Sequence, residues 1–270
     1  MNIAEVEISN PNKLIFPQQE ITKLDMIKYY DRIADNILPH LEDRPLTLQR
    51  FPNGIDEDGF YQKNAGDYFP DYIETISVEK EDGTNTQVIC NDKRTLIYLV
   101  NQGTVTFHIW LSKKDALNKP DKVVFDLDPP KDSFQKVKDA ADRIGEFLRD
   151  QGEKPNIMTT GKSGFHVWYS VRRDKEFDER RDEIKSLAEK MAEKYPDLLT
   201  TETRKDKRNG KVFVDYLRNA YGQTSVCPFS IRPIQSAGIA TPVEWNELSR
   251  IESPDQYNIG NIFRRLGQKD

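Results

Sequence analysis

The sequence predicts an α+β fold in two lobes, an N-terminal α/β lobe reaching to about residue 115 and a β-α-β-rich lobe over residues 116–270. Three observations carry this. Short apolar runs of strand length alternate with amphipathic stretches of helical period. At Lys122 the pattern changes from scattered strands to a regular strand, helix, strand rhythm. No internal repeat, low-complexity tract or Gly/Ser linker separates the two parts, so the lobes should pack closely within one 270-residue domain.

The first predicted helix covers Thr22 to Leu38. Thr22 and Asp25 form a capping box with Asp in place of Glu, Ile27, Tyr30, Ala34, Ile37 and Leu38 recur at helical spacing, and Pro39 marks the end. Strands follow at Leu46–Phe51, Thr75–Val78, Gln87–Cys90 and Thr104–Trp110, and Lys80 to Asn85 has the composition of a hairpin tip. Val123–Asp128 is a strand ended by Pro129 and Pro130. Phe134, Val137, Ala141, Ile144 and Leu148 then mark a helix that closes near Gly152. A strand at Ile157–Thr160, a tight turn Gly161–Gly164 and a strand His166–Val171 lead to a helix Phe177–Tyr195. A second hairpin with a basic tip is expected to deliver the strand ending Val212–Tyr216.

Composition narrows the class. Thirteen Phe, 11 Tyr and 3 Trp supply a sizeable core, which argues against global disorder. No run approaches the roughly 18 apolar residues of a spanning helix, and the start MNIAEVEISN lacks a signal-peptide layout, so a soluble cytoplasmic protein with no membrane partner is expected. Cys90 and Cys227 stand far apart with only three His, which argues against zinc and against a disulfide framework. With 40 Lys+Arg against 45 Asp+Glu the net charge is −5, which on its own weighs against a phosphate-rich partner.

Local chemistry points the other way. Asp126 and Asp128 lie two apart on a predicted strand, so their carboxylates share one face about 7 Å apart at the backbone. Like charges so placed call for a cation, and hard oxygen ligands favour magnesium or manganese. Asp215, ending Lys211-Val-Phe-Val-Asp215, is the candidate third carboxylate of a two-metal site, although one Asp at a strand end equally suits a turn. Thr160-Gly-Lys-Ser-Gly-Phe-His166 has the makings of a phosphate grip: small residues admit backbone N–H groups, Lys162 adds charge and His166 can donate. It is not a P-loop, because Asn156 stands where the first Gly is required and a strand follows instead of a helix. From Arg204 to Arg218 there are six basic and two acidic residues, so cationic side chains would arrive beside Asp215, with Arg232 a further candidate.

Taken together and in order, these strings resemble the polymerase domain of ligase D, the end-joining branch of the archaeo-eukaryotic primase superfamily. The resemblance rests on Val123-Val-Phe-Asp-Leu-Asp-Pro-Pro130, Thr160–His166, Gly210–Asn219, Thr224–Arg232 running on to Thr241–Trp245, and upstream on Ser9–Lys13 and Arg50–Gly54. It implies a primase-polymerase catalytic core with an RRM-like second lobe, acting as a nucleotidyltransferase that adds NTPs or dNTPs to primer 3′ ends at gaps and double-strand breaks. It further implies two divalent ions, Mn2+ or Mg2+, on Asp126, Asp128 and Asp215. Nucleotide contacts would fall to His108, Thr160, Lys162, Ser163, His166, Arg208, Arg218 and Arg232. Lys13 and Lys23 would hold a 5′-phosphate, and Tyr61, with Phe60 and Arg50 nearby, would meet the template. The tip at Lys80 to Asn85 would help bring two ends together, and a Ku protein and a DNA ligase become candidate partners in a nucleoid-associated setting.

Three positions depart from the family. Thr160 replaces a frequent Ser, Lys162 precedes Ser163 where many relatives place the base one residue later, and Arg218 stands where some relatives carry Gln. No ligase or nuclease module appears before Asp270, so a stand-alone polymerase or one excised from a larger protein is expected. Two rivals were weighed. A haloacid-dehalogenase-type phosphatase would need Thr or Val where Pro130 stands, and would carry its Asp strand near the domain start. A non-catalytic RRM-like binding module would ignore divalent metal.

Overall fold

In the computed structural model, which describes residues 1–80, 83–130 and 133–267 and, at Asp128, the backbone alone, two helix-backed sheets make the two lobes. The first lobe opens on two small antiparallel pairs, β1 (Asn2–Ile3) with β2 (Val6–Glu7) and β3 (Leu14–Phe16) with β4 (Ile21–Thr22). Thr22 caps α1 (Lys23–Arg32). Its hydroxyl accepts the Asp25 N–H at 3.2 Å while the Asp25 carboxylate accepts the Thr22 N–H at 3.0 Å.

The helix expected to run unbroken to Leu38 bends. Ile33, at φ −87° and ψ 1°, separates α1 from α2 (Ala34–Leu41), and Pro39 lies within α2 on an exposed position instead of ending it. With the bend, Met26, Ile27, Tyr29 and Tyr30 of α1 and Ala34, Ile37 and Leu41 of α2 all enter one core. Each such side chain, fully buried, contributes about 1.5–3 kcal/mol.

The first sheet contains β5 (Leu46–Arg50), β6 (Phe60–Gln62), β7 (Thr75–Lys80), β8 (Gly83–Val88) and β9 (Thr104–Trp110). The β7–β8 hairpin is tighter than expected. Lys80 pairs with Gly83, so the tip consists of residues 81 and 82, which lie outside the described residues. Behind the sheet packs α3 (Lys93–Asn101), absent from the sequence expectation and capped by Asp92, whose carboxylate accepts the Thr95 N–H at 2.8 Å.

The second lobe runs β10 (Lys122–Asp128), α4 (Phe134–Asp150), β11 (Asn156–Thr159), β12 (Phe165–Ser170), α5 (Phe177–Lys194), β13 (Leu199–Thr200) and β14 (Val212–Asp215). The chain finishes with β15 (Thr224–Val226), β16 (Thr241–Val243) and the short α6 (Ile262–Arg265). The second sheet is ordered β13-β14-β10-β12-β11-β16, and its strands β14-β10-β12-β11 are antiparallel neighbours joined in a split β-α-β-β-α-β arrangement. Alternation sorts its side chains. Val123, Phe125, Leu127, Phe165, Val167 and Val214 pack on Val137, Ile144, Ile184 and Met191 of α4 and α5. The intervening positions Val124, Asp126, His166, Trp168, Phe213 and Asp215 therefore face away from those helices.

Two expectations need correcting. The basic stretch is not a hairpin tip: β13 pairs with β14 in parallel, and Lys205–Lys207 form a single 3-10 turn on the crossover between them. Nor does the chain leave the first lobe for good near residue 115. β15 pairs with β9, Val226 opposite His108, and Cys227, Phe229, Ile231, Ile239, Ile262 and Phe263 complete the first core.

Candidate active site

Antiparallel pairing of β10 with β14 sets Asp126 directly opposite Asp215. Side chains so placed start from Cβ atoms about 4.5–5.5 Å apart, so the third carboxylate is where the two-residue spacing needed it. On the other flank of β10, His166 of β12 is the register partner of Asp126, and its Nε2 lies 3.4 Å from Asp126 Oδ1. Burial by itself would raise the Asp126 pKa, but His166, then Arg218 and Arg232, outweigh it and hold the carboxyl below its usual range. Asp215 Oδ1 accepts the Leu217 N–H at 2.8 Å. Arg218 bridges the pair, its Nε 3.5 Å from Asp126 Oδ2 and 3.7 Å from Asp215 Oδ2.

Among the described residues no set of three or more His, Cys, Asp or Glu side chains is gathered as a finished metal cage; the side chain of Asp128, the remaining expected ligand, lies outside the described residues. The donor chemistry still fits a hard divalent cation, because two facing carboxylates dominate the trough and a positive group already sits between them.

The phosphate grip is built by a turn that closes on itself. Thr160 N donates to Gly164 O at 2.9 Å, and Thr160 Oγ1 accepts the N–H groups of Ser163 at 3.1 Å and Gly164 at 3.0 Å. The Thr160 hydroxyl is thus spent on shape, while Lys162 and Ser163 both line the cleft. Glycine is required twice. Gly161 has φ +68° and a Cβ there would lie 2.6 Å from the Ile239 carbonyl carbon, while at Gly164 it would lie 2.1 Å from Leu127 O.

Arg232 closes the far wall. Half-buried, it donates from Nη1 to Thr160 O at 3.3 Å, its buried Nε has no partner among the described residues, and desolvation lowers its pKa. His108 of β9 also has a buried Nε2 without a partner among the described residues. Burial first, then the charges of Arg232 and Arg218, push its pKa down to about 3, so the imidazole is neutral near pH 7. The Tyr61 ring stands edge-on to it with centroids 5.6 Å apart. With Thr224, Ser225 and Val226 these groups enclose a cleft of about 330 Å³.

Other expected residues lie elsewhere. Arg208 is absent from the cleft lining. It donates to the carbonyls of Glu202 at 3.0 Å and Thr203 at 2.9 Å, and its guanidinium lies 4.0 Å over the Phe213 ring, on the Asp215 face of β14. Lys13 and Lys23 come together at the β3–α1 entry. Lys13 Nζ donates to Asn53 Oδ1 at 3.0 Å and Lys23 Nζ to Ser9 Oγ at 2.9 Å; burial first, then the Lys13 charge, lower the Lys23 pKa to about 8. Phe60 and Tyr61 part company, because neighbouring strand residues point to opposite faces: Tyr61 meets His108, whereas Phe60 lies 5.4 Å from the Arg50 guanidinium. Arg50 is buried and fully engaged, donating to Gln102 O, Gln62 Oε1 and the Tyr68 hydroxyl.

The sequence reading missed the wall formed by Thr224, Ser225 and Val226, although the Thr224–Arg232 string contained it. It also missed Asn219, which is 1% exposed and takes the place of a strand beside β10, accepting from Val124 N at 2.8 Å and donating to Val124 O at 2.7 Å. An Asn just past a strand end was the available signal.

An antiparallel sheet that sets Asp126 opposite Asp215, beside a cleft lined by Lys162, Arg218 and Arg232, fits one class, a primase-type nucleotidyltransferase. The family model of the LigD primase-polymerase domain matches residues 22–270, and the chain belongs to that family. It is 30% identical over 264 residues to the bifunctional non-homologous end joining protein LigD of Bacillus subtilis, covering 97% of this chain and 42% of that protein. To the multifunctional LigD of Pseudomonas aeruginosa it is 29% identical over 266 residues, covering 98% of this chain and 32% of that protein. The chain thus spans less than half the length of either relative. The polymerase domain from Mycobacterium tuberculosis ligase D in complex with DNA matches with a TM-score of 0.90 at 25% identity, over 97% of this chain and 94% of that one. Among the described residues no helix is long and apolar enough to cross a membrane.

Proposed function

We propose that this domain extends primer 3′ ends with NTPs or dNTPs at gaps and double-strand breaks in non-homologous end joining. The observation that carries this is the pairing of Asp126 with Asp215 across from the Thr160–His166 turn, with the cleft between them. In the reaction the primer 3′-oxygen bonds to the nucleotide α-phosphorus, the bond to pyrophosphate breaks, and the hydroxyl proton leaves to solvent. Mn2+ or Mg2+ on Asp126, Asp128 and Asp215 supplies activation of the hydroxyl and charge neutralisation at the leaving group.

The chain's own residues do the positioning. Lys162, Ser163, His166 and Arg232 surround the triphosphate, His108 and Tyr61 wall the nucleoside side, and Lys13 with Lys23 receives a 5′-phosphate on the downstream strand. Phe60 offers an exposed ring to an unstacked template base. Arg208 reaches the nucleotide only if it leaves its two carbonyls. A Ku protein and a ligase are the proposed partners.

The test is extension of a gapped, 5′-phosphorylated duplex with NTPs and dNTPs in Mn2+ and in Mg2+. Asp126→Ala should abolish extension while retaining DNA binding, and an Asp126→Ala protein that still extends primers overturns the assignment. DNA binding without extension in either metal would favour the non-catalytic module.

A further inference from the structure

Arg218 belongs to the turn that follows β14, and that turn is pinned at both flanks. Leu217 N donates to Asp215 Oδ1 at 2.8 Å. On the other side Asn219 locks onto Val124 of β10 and donates to Tyr216 O at 2.8 Å. Between these anchors the Arg218 side chain projects over the carboxylates, its Nε within 3.5 Å of Asp126 and 3.7 Å of Asp215. Two facing carboxylates repel unless a cation lies between them, and a guanidinium keeps its charge at any physiological pH. The aspartates are largely buried, whereas the Arg218 side chain is 45% exposed, so the arginine is the member of the trio with room to move.

We propose that Arg218 is a resident counter-cation: it neutralises the Asp126–Asp215 pair when no divalent ion is bound, competes with that ion for the trough, and on its arrival swings toward the triphosphate position in the cleft. The inference rests on the metal-binding role of these aspartates proposed above. A guanidinium and a divalent ion cannot share the trough, because like charges a few ångströms apart repel strongly in a partly dry site. Arg218 also lines the cleft, so a bound nucleotide offers the displaced arginine a new anionic partner. Metal binding and nucleotide binding therefore reinforce one another through this residue, and by linkage the reinforcement is equal in both directions.

The experiment is a Mn2+ titration of the full chain followed by the electron paramagnetic resonance signal of free Mn2+, with and without a non-hydrolysable NTP analogue. Arg218→Gln should bind Mn2+ more tightly than wild type in the absence of nucleotide, on the order of fivefold for a partly exposed ion pair. It should also lose most of the enhancement that the analogue confers on wild type. Arg218→Lys retains a cation and should stay close to wild type in both measurements. Unchanged or weaker Mn2+ binding by Arg218→Gln, or an undiminished analogue effect, overturns the proposal. Asp126→Asn, titrated in parallel, should lose the Mn2+ site; if it binds as wild type does, the metal assignment itself fails and the counter-cation role falls with it.

Discussion

Asn219→Ala is the most informative single perturbation of the fold around this site. β14 ends at Asp215, opposite Asp126, so on that side Val124 of β10 has no strand partner and finds its partners in the Asn219 amide instead, while β12 pairs with its other side. Val124 is 2% and Asn219 1% exposed, so water does not replace what truncation removes. Truncation deletes three hydrogen bonds, to Val124 N, Val124 O and Tyr216 O. Each unsatisfied buried backbone group costs about 1–3 kcal/mol, and with about 1 kcal/mol for the lost Tyr216 bond the two Val124 groups bring the sum to about 3–7 kcal/mol. In a chain of this size that corresponds to a fall in melting temperature of roughly 10 °C. Urea denaturation followed by circular dichroism measures it. Asn219→Asp keeps the acceptor for Val124 N but loses both donors, so it should also be destabilised. A change below about 1 kcal/mol in Asn219→Ala refutes the view that this side chain substitutes for a strand.

Three further outcomes follow from particular contacts. Lys23, lowered to about 8 in the free protein, is charged at pH 7 and neutral at pH 9. The 5′-phosphate contact proposed for it should therefore be present below pH 8 and fade above it, while folded stability gains as pH rises from 8 toward the unfolded lysine value. Anisotropy with gapped duplexes bearing and lacking the phosphate should show the preference shrinking at pH 9, and an unchanged preference refutes the role. Gly164→Ala drives a Cβ to 2.1 Å from Leu127 O, a backbone atom between two paired strands, and should cost about 3 kcal/mol in chemical denaturation; wild-type stability would contradict this. Arg50→Ala should destabilise by about 2–4 kcal/mol yet leave the salt dependence of DNA binding unchanged, because the guanidinium is spent internally. Lys13→Ala should reduce that slope by about one, and an equal reduction in Arg50→Ala would return Arg50 to the DNA-contacting residues.

Much of the second lobe was legible because its elements are local. The β10, α4, β11, β12 and α5 segments each carry a clear period, and the Asp-x-Asp spacing fixes which side chains share a face. The partnership of Asp126 with Asp215 depends on strand register across almost ninety residues, which no local pattern contains; the strand end at Asp215 made it a candidate, and the ordered set of motifs strengthened it. α3 was missed because Leu96–Val100 is apolar all round and buried on every side, which removes the amphipathic stripe that marks a helix. Pro39 misled in the other direction: it lies inside α2 and forgoes the helical bond to the carbonyl four residues back without ending the helix. Arg50 and Arg208 are charged residues whose partners are backbone carbonyls, and nothing in a sequence distinguishes an arginine spent on carbonyls from one offered to phosphate. Net charge was uninformative for the same reason: it says nothing of where Lys13, Lys23 and Arg218 are placed.

The return of β15 to the first sheet sets the order in which a growing chain can mature. A ribosome that has released residues 1–115 has produced a lobe whose β9 edge is unpaired and whose core still lacks Phe229, Ile231, Ile239 and Phe263. Strands β10 to β14 with α4 and α5 form one contiguous stretch that takes from further along β16 and the core residues Leu248 and Ile251. The half synthesised second is therefore expected to fold first, while the half synthesised first waits with an open strand edge, the state in which nascent chains are most exposed to mispairing. Chains stalled near residue 223 should show protease protection over β10 to β14 and cleavage around β9; protection of both would mean that the first lobe closes without its last strand.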